Sequence, residues 1–494
     1  MRRFHSFCLP ILVALWIGPT ATAEDFEPTP ALVCVVDLEI GEAATVELCD
    51  GTTAELKLTS VREERDEIRN AVRRSVVTVE VNGEEATIET GMYNLPRTVG
   101  GVQIDCTVTA GYNENGTPAF WGLDKDARLR LWPADSPWIR PGSFCYPVRQ
   151  KWFATMTWFD NEPVDGGATI LPKIYYHAGL DIGGSEGLTE VIAATDALVV
   201  SVGEEVLDGH AEDTPVSRRY DVVYLMDERG WYYRYSHLHT IDEAIKPGRT
   251  IEQGTLIGLV GKEGASGGWT HLHFEIKSRQ PSGKWGTQAG YAFIWQAYVA
   301  EFEPDVIAVA RPQQFVRVGE VVTLEGSLSW CRSGDVARYE WTLGDGSTAE
   351  GAKVERVYDQ PGTYSEILRV SDAEGNSAYD FAFVQVIARD ETERYAPRLH
   401  AVYHPTMEIR PGDPVTFKVR SFNVDGPGEE TWNFGDGSEP VSVRSDGNSE
   451  PRAADGYAVT THVFEAPGDY LVTVERVRAD GVRGIARLHV RVEE

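Results

Sequence analysis

The segment WTHLHFEIK, Trp269 to Lys277, alternates so regularly that it reads as an extended strand. Successive side chains of a strand point to opposite sides, so Leu272, Phe274 and Ile276 share one face while His271, His273 and Glu275 share the other. The apolar face predicts a buried sheet. The opposite face gathers imidazole nitrogens that need protons, acceptors or a metal.

Of the eleven histidines in the chain, six lie between Ala154 and Ala300, and five of these fall in paired or clustered elements, His177, His237, His239, His271 and His273, while His210 stands apart. Upstream of the alternating strand, YYHAGLDIGG places His177 and Asp181 four residues apart, a spacing that returns to one face in a helix or a strand. The Gly183-Gly184 pair that follows argues against a long helix. With His273 this makes two imidazoles and one carboxylate, a set that suits a catalytic zinc with its fourth position open to water. A third element, WYYRYSHLHT, is expected to put Trp231, Tyr233, Tyr235, His237 and His239 on one strand face with Leu238 on the other. A histidine there would partner the bound water or a developing oxyanion. The aromatic residues either floor a substrate groove, together with Trp269, or simply pack.

The rest of the chain frames this region. Residues 1–23 have the pattern of a secretory signal: Arg2 and Arg3, an apolar run from Leu9 to Ile17, and Ala21-Thr22-Ala23 before Glu24. The expectation is a protein working in the periplasm or outside the cell and not spanning a membrane, since no apolar run approaches the length of about 20 residues that a bilayer requires. A formal charge of −30 disfavours nucleic acid and anionic lipid as partners. The chain is expected to act as a monomer.

Residues 24–152 alternate in short stretches and suggest a β-rich accessory domain. The stretch SVREERDEIRNAVRR is the exception: Ser60 and Glu63 have capping-box spacing, and Val61, Ile68 and Val72 mark an apolar stripe, which predicts a helix. Cys34, Cys49, Cys106 and Cys145 predict two disulfides in an oxidising compartment, with three possible connectivities, and leave Cys331 as a buried thiol.

After the histidine-rich region comes an internal repeat. WTLGDGS at Trp341 to Ser347 recurs as WNFGDGS at Trp432 to Ser438, and VYDQPGTY at Val357 to Tyr364 recurs as VFEAPGDY at Val463 to Tyr470. Each Gly-Asp-Gly supplies a hairpin turn after a strand begun by Trp. The second copy is longer, and its extra residues fall in the polar stretch Ser442 to Asp455, read as a surface loop.

Both copies resemble the polycystic kidney disease (PKD) domain, an immunoglobulin-like β-sandwich common in secreted bacterial hydrolases. The resemblance implies spacer or substrate-adhesion modules without catalysis. In the central region, H-x-x-x-D at His177 and Asp181, Y-x-H-L at Tyr235 to Leu238 and H-L-H-F-E at His271 to Glu275 follow the order of the lysostaphin-like zinc endopeptidases. The glycine-punctuated stretch Lys246 to Thr270 resembles the segment that family carries between the last two motifs. By motif position, the resemblance implies His177, Asp181 and His273 as Zn²⁺ ligands and His237 and His271 as the catalytic pair. Three departures stand out: His239 occupies a position usually held by a small hydroxyl residue, the strand before it reads YLMDERG (Tyr224 to Gly230) where the family usually has I-x-H-x-x-G, and the polar insert Val206 to Tyr220 lengthens a loop.

The expected architecture is therefore mainly β and multidomain: a signal peptide (1–23), a β-rich N-terminal domain (24–152), an antiparallel β-sheet peptidase domain (153–300) and two β-sandwiches (303–388 and 397–494). The implied activity is hydrolysis of peptide bonds in cross-links or stem peptides of bacterial peptidoglycan. A peptidase for Gly-rich proteins and a non-catalytic wall-binding activator or adhesin are the alternatives.

Overall fold

The computed structural model describes residues 30–114, 120–164, 174–391 and 394–494. The signal-peptide expectation lies outside them. The chain is mostly β, and among the described residues no helix is long and apolar enough to cross a membrane.

The alternating segment is a nine-residue strand, His271–Arg279, in the interior of an antiparallel sheet. Its neighbours are Tyr232–Ser236 on one side and Leu180–Gly183 on the other. Leu272, Phe274 and Ile276 are essentially fully buried, and Phe274 packs on Tyr233 and Tyr235 from the adjacent strand. The helix Tyr291–Phe302 packs into the same core and buries Phe293, Ile294 and Trp295. Gly290, just before it, sits so close to the sheet that a Cβ there would stand 2.8 Å from Leu180 Cδ1. Absence of a side chain sets this helix-to-sheet distance.

The two repeats form their cores around equivalent tryptophans, Trp341 and Trp432. In each Gly-Asp-Gly turn one carboxylate oxygen, from Asp345 or Asp436, accepts both the N–H and the hydroxyl of the following serine, Ser347 or Ser438. The copies are not separate beads. Gly362 and Thr363 of the first pair in parallel with Arg483 and Gly484 of the second, joining strands of both into one sheet. The second copy also takes Ala154 of the central region into its core.

Three expectations are corrected. The predicted helix over Ser60 to Arg74 is a hairpin between Thr53–Arg65 and Val72–Val81. Alternation of Ala54, Leu56 and Leu58 into the core overrides the capping-box spacing, and the turn is closed by Asp66, whose carboxylate accepts the N–H groups of Ile68, Arg69 and Ala71. Asn70 takes a φ of 57° there, a left-handed conformation that asparagine tolerates.

Among the described residues no disulfide is present; Cys34, Cys49, Cys106, Cys145 and Cys331 are all free thiols. Cys106 and Cys145 are placed in different surroundings. Cys106 lies in the apolar core of the N-terminal domain, whereas Cys145 donates to Ala193 O of the central region. Cys331 is buried, as expected.

The third correction concerns WYYRYSHLHT. Tyr233 and Tyr235 share one face and pack in the core, but His237 adopts a φ of 67° and breaks the alternation. Leu238 therefore joins Tyr233 and Tyr235 in the core while His237 turns out of it.

Candidate active site

The antiparallel register builds the centre of the site directly. Asp181 and His273 are cross-strand partners, which puts their side chains on one face at the shortest separation a sheet offers. Asp181 Oδ1 lies 2.8 Å from His273 Nδ1 and 3.0 Å from His177 Nε2. His177, at the approach to the Leu180–Gly183 strand, has its Nδ1 3.0 Å from Gly179 O. Carbonyl oxygens only accept, so Nδ1 carries the proton and Nε2 is the free nitrogen. Beneath this bend, Gly179 N–H donates to Asp160, whose carboxyl burial pushes up to about 7.

The second pair is held differently. His237 Nδ1 donates to Glu263 O at 2.7 Å, and His271 Nδ1 donates to Trp269 O at 3.1 Å. Each ring thus keeps an unprotonated Nε2, and that of His271 lies 3.4 Å from Asp181 Oδ2. The two rings stand 4.6 Å apart between centroids. Asp221 accepts the backbone N–H of His237 at 2.9 Å and so braces the left-handed turn.

All five side chains are buried, from 2% exposed for His177 and His271 to 7% for Asp181, His237 and His273. Burial alone would raise the Asp181 carboxyl, but the surrounding His177, His271 and His273 imidazoles hold it well below the usual range. Burial likewise opposes a charge on His177, and Asp181 with Asp160 and Glu275 outweighs it, so His177 titrates higher than usual. His237 and His271 go the other way: burial lowers both, against the pull of Asp221 and Asp181 respectively. Glu275, kept ionised against its burial chiefly by Lys277, accepts from Thr287 Oγ1 at 2.9 Å and lies 3.9 Å from His273 Nε2.

A metal ion fits the first trio on the chemistry of its donors. With its Nδ1 proton committed to a carbonyl, His177 presents a nitrogen lone pair to a carboxylate lone pair at 3.0 Å, an arrangement that a shared proton or a cation between them relieves. Two imidazoles and one carboxylate converging in this way form a set that zinc takes in catalytic sites.

A second cluster, Glu186, His239 and Glu263, is at the surface. His239 is exposed there, and Glu186 is already paired with the Lys262 ammonium.

Sequence reasoning brought together His177, Asp181, His273, His237 and His271, and the structure gathers the same five. It missed Asp221, Asp160 and the carbonyls of Glu263 and Trp269. Asp221 stands at the end of the polar insert, outside any periodic pattern, and backbone carbonyls leave no trace in side-chain order.

Residues 175–284 match the model for peptidase family M23, and residues 303–386 and 401–481 each match a model for a PKD domain. The chain carries an M23 peptidase domain followed by two PKD domains. It is similar to a curated microbial collagenase of Vibrio alginolyticus, with 27% identity over 113 residues; the match covers 21% of this chain and 14% of that protein. Among solved structures, the fibronectin(III)-like modules of Clostridium thermocellum CbhA align with 14% identity and a TM-score of 0.16, covering 38% of this chain and 94% of that one. Helicobacter pylori Csd3 aligns with 11% identity and a TM-score of 0.20, over 53% of this chain and 82% of that one.

Proposed function

We propose that the chain is a secreted zinc metalloendopeptidase that cleaves peptide bonds in the cross-links or stem peptides of bacterial peptidoglycan. The observation that carries the reading is the convergence of two differently held groups: His177, Asp181 and His273 around one point, and His237 with His271 beside it, each keeping a free Nε2. The M23 match over 175–284 supports metallopeptidase chemistry at that point.

His177 Nε2, an Asp181 oxygen and His273 Nδ1 would hold the zinc ion, and Glu275 stands behind the second nitrogen of His273. When bound, the ion polarises a scissile carbonyl as a Lewis acid and lowers the pKa of water toward neutrality. The histidine pair handles protons. Burial keeps both rings neutral, so an Nε2 accepts a proton as the nucleophile forms and returns it to the leaving nitrogen. Asp221 beside His237 and Asp181 beside His271 stabilise the positive charge during that interval.

The test is incubation of the purified chain with peptidoglycan sacculi of known cross-link chemistry, with mass spectrometry of the released fragments. Peptides cut at one defined bond, lost with chelator and restored by Zn²⁺, are the expected result. Cleavage of Gly-rich proteins alone, or binding to sacculi without release, would replace this reading by one of its alternatives.

A further inference from the structure

We propose that the second PKD domain is a positioning element of the peptidase site, acting through Trp269 on His271. The proposal rests on the assignment of His271 to proton transfer. Trp269 stacks on the His271 imidazole with centroids 3.9 Å apart and planes at 17°, and its carbonyl accepts the His271 Nδ1 proton. One residue therefore fixes both the plane and the tautomer of that ring.

Trp269 and its flanking backbone are held from the other domain. His400 meets the indole edge-on at 5.0 Å between centroids. Thr270 N–H donates to Tyr457 Oη at 2.9 Å, and Arg420 donates to Gly268 O at 2.7 Å. These bonds bracket Trp269 on both sides along the chain.

The polar groups form a chain with one consistent direction. Thr155 Oγ1 donates to Ala401 O, so it accepts from His400 Nε2; that leaves His400 Nδ1 to accept from Tyr457 Oη, which in turn accepts from Thr270 N–H. Every member is buried, and a buried network with all partners satisfied has one low-energy arrangement. Arg420, fully buried, is further fixed by the Asp446 carboxylate. The glycine-rich loop GASGGWT is held from within by Ser266, which donates to Lys262 O and accepts from Gly268 N–H, and by Thr270, which donates to Gly184 O; the docked domain adds the contacts at Trp269 itself and at its flanking peptide groups.

The experiment uses the full chain with Tyr457→Phe, which removes one hydroxyl, and Trp269→Leu, which removes the stacking ring, with Trp269→Phe as the conservative rescue. Zinc content, kcat and KM on a soluble peptide, and the NMR shifts of the His271 ring protons are measured for each. Expected are unchanged zinc, KM within about twofold and kcat lowered about tenfold or more in Tyr457→Phe and Trp269→Leu, the range for a catalytic group displaced by a fraction of an ångström. Trp269→Phe should recover most of kcat, and the His271 proton shifts should move in Tyr457→Phe although its own contacts are untouched. Wild-type kcat in both Tyr457→Phe and Trp269→Leu, or unmoved His271 resonances in Tyr457→Phe, would overturn the proposal. If the wild-type chain itself lacks turnover, the peptidase reading fails, while the NMR shifts still decide whether the domain positions His271.

Discussion

His273 and His271 stand two residues apart on one strand, yet different structures hold them. His273 sits in a regular ladder, paired across to Asp181 on one side and Ser236 on the other, so two members of the proposed metal-binding trio are set by β register, and His177 joins them from the bend just before the Asp181 strand. His271 lies at the strand's first residue, and its partners are a carbonyl in a glycine-rich loop, an indole, and His237 on a left-handed turn. The regular side is robust because sheet geometry fixes it. The irregular side depends on Asp221, on the loop and on the docked second PKD domain, each of which can be altered with the ladder intact.

The largest effect separating the two sides should come from the ladder. Asp181→Ala or His177→Ala removes a proposed ligand outright and should weaken zinc binding by more than about 100-fold, the upper range for loss of a mere supporting partner, with turnover falling to background. Metal analysis after dialysis checks it; full zinc in either variant would break the comparison at its root.

His237→Ala acts on the irregular side. Zinc should stay bound while turnover drops about 10²-fold, the scale of losing a general base or an oxyanion donor. Zinc loss in this variant would place His237 with the ligands.

Gly261 is pinched between the two irregular histidine elements: it accepts the His271 N–H, and a Cβ there would stand 2.4 Å from His239 N and 2.6 Å from His237 O. Gly261→Ala should therefore cost about 1–3 kcal/mol by overpacking and lower turnover with zinc retained. Denaturant melts alongside metal content would show whether the strain stays on that side.

Acid should weaken the same side. His400 is pushed down to about 3 by burial, with Arg398 adding to it, whereas an unfolded histidine titrates near 6.5. Between those values the unfolded chain binds a proton that the folded one excludes, so the stability contributed by neutral His400 is present above about pH 6.5 and is lost as pH falls toward about 3. Melting midpoints from pH 7 to 4 should fall more steeply for the wild type than for His400→Gln; equal slopes would remove His400 from the account.

The smallest effect belongs to His239. Exposed and beside Glu186, it should change stability by no more than about 0.5 kcal/mol and turnover by less than about twofold when replaced by alanine.

What could be read from the sequence follows the same division. Leu272, Phe274 and Ile276 announced a strand and its core because period-two burial is written in side-chain order; His273 followed from the same alternation, and His177 from its four-residue spacing to Asp181. The helix over Ser60 to Arg74 was misread because a local capping pattern competes with long-range pairing, which only the partner strand reveals. The turn at His237 escaped because a positive φ on a non-glycine residue is imposed from outside, here by Asp221 some sixteen positions upstream. The role of Trp269 was left open between groove and packing; its actual neighbours, His271 and His400, come from domains that the sequence separates.

In the proposed reading one strand, His271–Arg279, carries a ligand and a proton-transfer group side by side. Zinc stoichiometry of His271→Ala and His273→Ala, purified identically and measured by mass spectrometry of the metal, tests it most directly. About one zinc per chain should remain in His271→Ala and none in His273→Ala, as expected for three ligands with an open position. Equal zinc in the two variants, or its loss from His271→Ala, would contradict it.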